Sequence, residues 1–370
     1  MNIPSHHQSA LFNALDARAD VDLEVCYFKS TSATRSAEGW NHEHVFKPFE
    51  VHCEDAGSPE EIVRKIPDWE ERIHLISSNF SDELVAFFCE NKVRWCHWSE
   101  MPGVRLAELL DFRMQLFRIL NPFMLILKRK EGARMKRNAL GVFAQGVMAR
   151  NSFKGMGVPV QMIENLFYAL SALPPTERCT QVEQFARGRK VFLSVAALCK
   201  RKGIDVLLKA MARLKTDDWC LVLCGLDKEN GRYQDLVERL NIQDNVLFLG
   251  AHPSERIAEV YAASDVFVLP SRFDGWGAVL NEAASLGLPL IGTDLCGGAW
   301  HAIQKGGNGF RVKAGSVKSL ANAMDSYVKN PTLLKAHGEV STEIFLEELA
   351  PERNAQRLVN ALVKWSGHES

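Results

Sequence analysis

The apolar and polar positions in the second half of the chain follow two alternating periods. Short apolar runs such as KVFLSVA (190–196), WCLVLCG (219–225) and DVFVLP (265–270) have the length and continuity of strands buried on both faces. Between them lie stretches such as IDVLLKAMARLK (204–215), in which apolar side chains recur every three or four residues. Buried strands alternating with helices predict a parallel sheet with helices on both faces.

The first half repeats this pattern less regularly. Its strand candidates are VDLEVCYF (21–28), IHLISS (73–78), VRWCHW (93–98) and LGVFAQG (140–146). The α/β pattern therefore predicts two Rossmann-like doubly wound domains facing a central cleft. The expected boundaries are 1–172 for an N-terminal domain, 173–188 for a proline-containing polar linker, 189–350 for a C-terminal domain and 351–367 for a terminal helix that packs back on the first domain.

Composition excludes several classes of protein. A length of 370 residues favours two domains, and a formal net charge of −1 argues against a general nucleic-acid binder. The nine cysteines form no CxxC pair, which is typical of reduced core thiols in a cytoplasmic protein. The N-terminal residues do not resemble a signal peptide, and the aliphatic runs are too short to span a bilayer.

Two glycines and two carboxylates mark the segment SRFDGWGAVLNEAASLG (271–287). Gly275 and Gly277 stand between a predicted strand and a predicted helix, where backbone N–H groups bind phosphate in many proteins. The near-match to GxGxxG fails at Leu280, so we set aside a nicotinamide dehydrogenase. Asp274 and Glu282 have two interpretations: a helix cap with a solvated helix charge, or acceptors of hydrogen bonds from sugar hydroxyls.

Three segments, in order, resemble the large retaining glycosyltransferase family usually numbered four, which has the GT-B fold. PSRFDGWGAVLNEAASLGLPLIGTD (270–294) is similar to its signature region, with an acidic residue, seven others and a glutamate. FLSVAALCKRKGIDVLLKAM (192–211) is similar to its first strand, phosphate loop and helix. LGVFAQGVMARNSFKGMGVPVQMIENLFYAL (140–170) is similar to the end of its acceptor domain. The resemblance favours the functional interpretation of both carboxylates.

The resemblance implies a donor site. Lys202, followed by Gly203, would hold the diphosphate of a nucleotide sugar and stabilise it as the leaving group. The family usually has an arginine where this chain has Ala197. One of Lys200, Arg201 and Arg272 is expected to replace that arginine, and the sequence does not say which.

The remaining implied roles concern the sugar and the acceptor. Asp274 would accept hydrogen bonds from donor-sugar hydroxyls and Glu282 from the ribose. The backbone N–H groups of Gly275, Trp276 and Gly277 would bind donor oxygens. His97 would lie near the donor sugar's hydroxymethyl group, and His6 and His7 would face the cleft from the loop before the first helix. A structural or surface role is an equal alternative for each histidine.

The start of the chain departs from the family pattern. The acceptor domain of the family begins with a strand, whereas IPSHHQSALFNAL begins at the following loop, so the first strand is expected to be missing. No metal is expected, because the one DxD, Asp20-Val21-Asp22, lies in a predicted turn and no cluster has ligand spacing. No cofactor is expected beyond the nucleotide-sugar substrate.

The segment 105–137 is basic, with nine Lys and Arg against three acids. It is either a core helix followed by a solvated face or a surface for anionic lipid head groups. The resemblance implies a metal-independent retaining glycosyltransferase that moves a sugar to a glycan or lipid-linked acceptor. Such an enzyme is expected in the cytoplasm, either free or attached to the inner face of the membrane. The alternatives are an inactive glycosyltransferase-like scaffold and an enzyme acting on free sugar phosphates.

Overall fold

The structure, a computed structural model, describes residues 6–27, 46–53, 57–77, 82–100 and 122–367. The chain divides into two compact units, one of residues 1–169 with 351–370 and the other of residues 170–350. Each unit is an α/β structure with parallel strands, as the hydrophobic pattern predicts.

The described part of the first unit contains two groups of parallel strands. One is a pair, β1 (Val25–Tyr27) with β2 (Glu50–His52). The other runs in the order β3 (Ile73–Ser77), β4 (Arg94–Ser99), β5 (Gly141–Ala144) and β6 (Ile163–Asn165). The helices before and between these strands are α1 (His6–Asp16), α2 (Pro59–Arg64), α3 (Asp82–Glu90), α4 (Pro122–Asn138) and α5 (Gly146–Gly155).

The second unit is built on a six-stranded parallel sheet. Its strands are β7 (Lys190–Val195), β8 (Trp219–Cys224), β9 (Val246–Gly250), β10 (Val266–Leu269), β11 (Leu290–Thr293) and β12 (Gly309–Val312). Its helices are α6 (Thr180–Ala186), α7 (Ile204–Met211), α8 (Arg232–Arg239), α9 (Ile257–Ala262), α10 (Val279–Ser285), α11 (Ala299–Ala302), α12 (Val317–Lys329) and α13 (Thr332–Ile344). A π-helical turn, Phe345–Leu349, then leads to the last helix, α14 (Pro351–Ser366).

The strand order of the second unit is β12-β11-β10-β7-β8-β9. The chain thus starts at the centre of the sheet with β7, builds outward through β8 and β9, and returns to place β10 on the other side of β7. Ligands in such sheets bind beyond the carboxyl ends of the two strands where the direction of building reverses. That switch point is the junction of β7 with β10.

Apolar helices cover the sheet of the second unit because their buried positions fall on one face. Leu207 and Met211 of α7 and Met324 of α12 join Val268 of β10 in one cluster of buried side chains. In the first unit, α1 and α14 pack on one face of the strands, and α3 and α5 pack on the other.

The segment 173–188 is attached to α9 by hydrogen bonds. It lies within the second unit, and part of it forms α6. The backbone N–H of Cys179 donates to the carbonyl of Glu259, and the Arg178 guanidinium donates to the carbonyl of Ala262. These bonds attach the segment to α9, a contact between residues far apart in sequence that a local composition does not reveal.

Candidate active site

An ion pair joins the two loops that leave the sheet at its switch point. Lys202 ends a short 3₁₀ turn after β7, and Asp274 lies in the loop after β10. The ammonium Nζ of Lys202 is 2.6 Å from Oδ2 of Asp274. Both side chains are largely buried, with 15% and 13% of their surface exposed. The two residues that the sequence proposes for donor binding are thus in direct contact.

Asp274 is held as a carboxylate by its neighbours. The hydroxyl of Ser271 donates to Oδ2, and Nη1 of Arg201 lies 3.8 Å from Oδ1. Burial alone raises the pKa of Asp274, but Lys202, Arg201 and Ser271 together outweigh it and leave the pKa below its usual value. The site is therefore a buried anion flanked by two cations.

Gly203 allows the two loops to approach each other. Its φ is +71°, and a Cβ there would collide with the backbone carbonyl of Pro270. The backbone N–H of Arg272 in turn donates to the carbonyl of Arg201. A glycine after Lys202 is therefore required by the packing of one loop on the other.

Arg272 and Arg201, both proposed as replacements for the arginine absent at Ala197, are placed differently. The guanidinium of Arg272 makes two bonds to the carboxylate of Asp205, at 2.7 and 2.8 Å, and one to the carbonyl of Lys200. Arg272 thus fixes the loop to the start of α7. Arg201 instead lies beside Asp274, and its Nη1 donates to the carbonyl of Phe273.

The glycine loop after Asp274 is shaped by close packing. Gly277 has φ +86°, and a Cβ there would lie 2.6 Å from Leu269 and 2.7 Å from Cys296. Helix α10 begins two residues later, at Val279. Among the described residues, the backbone N–H groups of Gly275 and Gly277 donate to no protein acceptor, so they are available to a ligand.

The side chain of Trp276 anchors the backbone of the glycine loop. The indole is buried and donates through Nε1 to Asn281, 3.1 Å away, and stacks on His301. Its carbonyl accepts from the N–H of Gly298. These contacts hold the backbone of residues 275–277 in place.

Glu282 lies on α10, where Tyr261 of α9 holds it. The phenol of Tyr261 donates to Oε2 of Glu282 at 2.7 Å. Burial raises the pKa of Glu282 above its usual value, against the opposing effect of the Tyr261 hydrogen bond. A partly desolvated carboxylate with one protein partner retains capacity to accept hydrogen bonds from hydroxyl groups.

The three histidines proposed as site residues, His6, His7 and His97, belong to the first unit. His97 is buried in β4, with Nε2 3.1 Å from Oγ of Ser99 and the ring edge against Phe153. Burial lowers the pKa of His97 to about 4, so its imidazole is neutral at pH 7. His6 and His7 are the first two residues of α1, not part of a preceding loop, and their side chains lie outside the described residues.

Three residues that contact the predicted site residues are not themselves predicted from the sequence: Ser271, Asp205 and Tyr261. Ser271 stands directly after a strand, a position that marks it as a candidate in retrospect. Asp205, the partner of Arg272, is an ordinary acidic residue in the first turn of a helix. Tyr261 falls on the buried side of α9, where a tyrosine is typical of core packing.

The sequence also raises the questions of a metal site, of membrane association and of disulfide bonds. The described residues contain no cluster of His, Cys, Asp or Glu suited to a metal. In the described ranges, no helix combines the length and apolar character needed to cross a bilayer. Of the basic segment 105–137, residues 105–121 lie outside the described residues and the rest belongs to α4. None of the nine cysteines is in a disulfide.

Comparison with known proteins shows which protein family the C-terminal part of this chain resembles. Residues 176–343 match the family model for glycosyl transferases group 1. N-acetyl-alpha-D-glucosaminyl L-malate synthase of Bacillus anthracis is 31% identical over 169 residues, 45% of this chain and 44% of that protein. A D-inositol 3-phosphate glycosyltransferase of Corynebacterium aurimucosum is 28% identical over 182 residues, 46% and 43% of the two chains. The matches thus span less than half the length of these relatives.

Solved structures extend the likeness to both units. HepE of Anabaena in complex with UDP superposes with a TM-score of 0.70 over 98% of this chain and 100% of that chain, at 16% identity. Sucrose-phosphate synthase of Thermosynechococcus elongatus gives a TM-score of 0.69 over 99% and 98%, at 19% identity. The chain therefore has the GT-B fold of these glycosyltransferase structures, and its residues 176–343 match the family model for glycosyl transferases group 1.

Proposed function

We propose that the protein is a glycosyltransferase that takes a sugar from a nucleoside diphosphate donor and transfers it, with retention, to a hydroxyl of a glycan or lipid-linked acceptor. The observation that carries the proposal is the contact between Lys202 and Asp274 at the switch point of the sheet. It brings together a cation of the kind that binds diphosphate and an anion of the kind that accepts from sugar hydroxyls. The group 1 match over residues 176–343 supports the same activity.

Lys202 and Arg201 would bind the diphosphate. Their side chains keep 15% and 31% of their surface exposed, so a ligand can reach both cations. An ammonium has three donors, and Lys202 can therefore keep its bond to Asp274 while donating to a phosphate oxygen. The N–H groups of Gly275 and Gly277 would add neutral donors. These groups stabilise the negative charge that develops on the leaving diphosphate.

The carboxylates would position the two sugars of the donor. Asp274 has free lone pairs besides those used by Lys202 and Ser271, and would accept from hydroxyls of the transferred sugar. Glu282, fixed through Tyr261, would accept from the ribose. A hydroxyl donated to a partly buried carboxylate is a charge-assisted hydrogen bond, which is stronger than a neutral one.

The chemistry would not require a nucleophile from the protein. The acceptor hydroxyl would attack the anomeric carbon on the face from which the diphosphate departs, and a phosphate oxygen would take the hydroxyl proton. The bond from the anomeric carbon to the diphosphate breaks as the bond to the acceptor oxygen forms. The chain's own residues would bind the diphosphate, orient both sugars and exclude water.

The donor is tested with a panel of nucleotide sugars. We start with UDP-sugars, since UDP and UDP-glucose are bound in the HepE structures. Calorimetry measures the affinity for each nucleotide. A second assay measures the release of nucleotide from each donor, first without an acceptor and then with glycan or lipid-linked acceptors. Binding of a nucleoside diphosphate together with turnover is expected, and His97→Ala then tests the role proposed for His97.

Matched variants separate function from folding. Lys202→Ala and Glu282→Ala should lose turnover, whereas Lys215→Ala, an exposed lysine beyond the end of α7, should keep it. Nucleotide binding with no transfer to any acceptor in the panel would instead favour a scaffold role.

Two further parts of the proposal have their own tests. A requirement for added divalent metal would contradict metal independence. Binding to vesicles that contain anionic lipid tests the membrane role proposed for residues 105–137.

A further inference from the structure

Trp300 presents an indole ring at the surface of the second unit. It lies on α11, and 43% of its surface is exposed. Among the tryptophans that the structure describes, Trp300 alone is exposed, and the others are buried or half-buried. A single exposed apolar residue is ordinary on a protein surface, so what distinguishes Trp300 is how it is held and what lies beside it.

Two contacts hold the Trp300 ring in one orientation. Its Nε1 donates to the carbonyl of Asp294 at 3.0 Å. The guanidinium of Arg311, on β12, lies over the ring at 4.0 Å from its centroid. Because Arg311 covers one face, the exposed surface belongs to the other face and the edge of the ring. A ring that is already ordered loses little conformational entropy when a ligand binds to it.

The ring lies at the same edge of the sheet as Asp274. Strands β10 and β11 are parallel neighbours, Asp274 follows β10, and Trp300 follows β11. The N–H of Gly297 donates to the carbonyl of Asp274 at 3.0 Å. Gly297 is three residues before Trp300, so their Cα atoms are separated by about 11 Å at most. The exposed ring is therefore close to the site proposed for the donor sugar.

A carboxylate accompanies the ring. Asp294, whose carbonyl accepts from the indole, also accepts through Oδ1 from the N–H of Ala314 at 2.8 Å. Within the described ranges, Oδ2 of Asp294 makes no hydrogen bond. A sugar has a C–H face that stacks on an aromatic ring and hydroxyls that donate to a carboxylate. The indole face and Oδ2 together match both features.

We propose that Trp300, backed by Arg311 and flanked by Asp294, binds one sugar ring of a glycan acceptor. The free face of the indole stacks on the C–H face of the sugar, and Oδ2 of Asp294 accepts from one of its hydroxyls. That this glycan is an acceptor rests on the proposed glycosyltransferase function, whereas glycan binding itself does not. The acceptor is then a chain of sugars, of which one ring lies on Trp300 while another receives the transferred sugar.

The test measures glycan binding in the absence of a donor. An array of immobilised oligosaccharides identifies a bound glycan, and calorimetry gives its affinity for each variant. Trp300→Ala should weaken this affinity by about tenfold, the size of one aromatic contact, and Trp300→Phe, which keeps a ring, should lose less. Asp294→Asn keeps the acceptor for Ala314 without the charge and should weaken the affinity several-fold. Val160→Ala, an exposed apolar residue before β6, is the control and should change nothing.

Nucleoside diphosphate affinity and donor hydrolysis separate this inference from the proposed function. Both should be unchanged in Trp300→Ala, while the KM for the glycan acceptor rises about tenfold. A wild type that binds glycan through Trp300 but neither binds nucleotide nor hydrolyses any donor would overturn the proposed function alone. Thermal melts show which variants are folded, and Trp300→Phe and Asp294→Asn carry the comparison if Trp300→Ala is not.

Three results would overturn the inference about Trp300. The first is a wild type that binds no glycan on the array. The second is equal glycan affinity of the wild type and a folded Trp300→Ala variant. The third is a loss of nucleotide affinity in Trp300→Ala as large as the loss of glycan affinity, since the ring would then belong to the nucleotide site.

Discussion

Nζ of Lys202 contacts Oδ2 of Asp274 at 2.6 Å, although 72 residues separate them in sequence. Lys202 follows β7 and Asp274 follows β10, the two strands that meet at the switch point of the sheet. The topology therefore brings the pair together, and Gly203 makes the final approach possible. The same pair is the basis for both the activity and the stability expected of this site.

Replacing Lys202 by alanine should lower the turnover of the donor by about 100-fold or more, the size of effect seen when one group that stabilises developing charge is removed. It should also destabilise the second unit by about 1–3 kcal/mol, because Asp274 loses its nearest cation. Turnover and urea unfolding of Lys202→Ala, Lys202→Arg and the exposed control Lys215→Ala measure both effects. Unchanged turnover in a folded Lys202→Ala protein would contradict the proposed role.

Asp274 makes stability depend on pH at the acid end. Its folded pKa is below that of an unfolded aspartate, about 3.9, so ionised Asp274 stabilises the fold above that pH. This stabilisation is lost as the pH falls through the folded pKa. The free energy of unfolding of the wild type should therefore exceed that of Asp274→Asn at pH 6 and approach it near pH 3. A difference that is constant across this range would show that the carboxylate charge is not responsible.

Glu282 should have the opposite effect on stability. Its folded pKa is raised, so the fold is most favourable with the neutral carboxyl group, and stability is lost as the pH rises from the unfolded pKa, about 4.3, through the folded value. Glu282→Gln should match the wild type near pH 4 and be more stable at pH 7, while binding the nucleotide more weakly. Thermal melts at both pH values with calorimetry of the nucleotide check this, and a destabilised variant at pH 7 would be incompatible with it.

Sequence patterns predict the second unit well and the first unit less completely. Each strand from β7 to β11 is a short apolar run followed by a loop, so both the doubly wound fold and the positions of Lys202 and Asp274 are visible in the sequence. The different placement of Arg201 and Arg272 is not, because it depends on Asp205, whose distance from Arg272 only the folded chain determines. The attachment of 173–188 to α9 is likewise a product of tertiary packing.

Tyr261 is expected to act by positioning Glu282. Tyr261→Phe removes the 2.7 Å hydrogen bond to Oε2 and should raise the KM for the donor several-fold with a smaller change in kcat, because the ribose contact and not the leaving group is affected. Tyr327→Phe is the matched control, since it also removes a buried hydrogen bond, to His337, elsewhere in the second unit. Equal effects of the two variants on KM would indicate that Tyr261 only stabilises the fold.

The backbone conformation of Gly203 determines how closely the loop carrying Lys202 approaches the loop carrying Asp274. Gly203→Ala places a Cβ at φ +71° against the carbonyl of Pro270, so the loop carrying Lys202 must move away from the loop carrying Asp274. Gly231 is the matched control: its φ is +82°, but a Cβ there meets nothing within 4 Å. Gly231→Ala should cost only the backbone strain, about 1–2 kcal/mol, with activity retained. Gly203→Ala should cost more than that and should also lower donor affinity, measured by calorimetry on protein that urea unfolding shows to be folded. Equal stability losses in the two variants, with donor affinity unchanged in both, would mean that the approach of the two loops is not needed for binding.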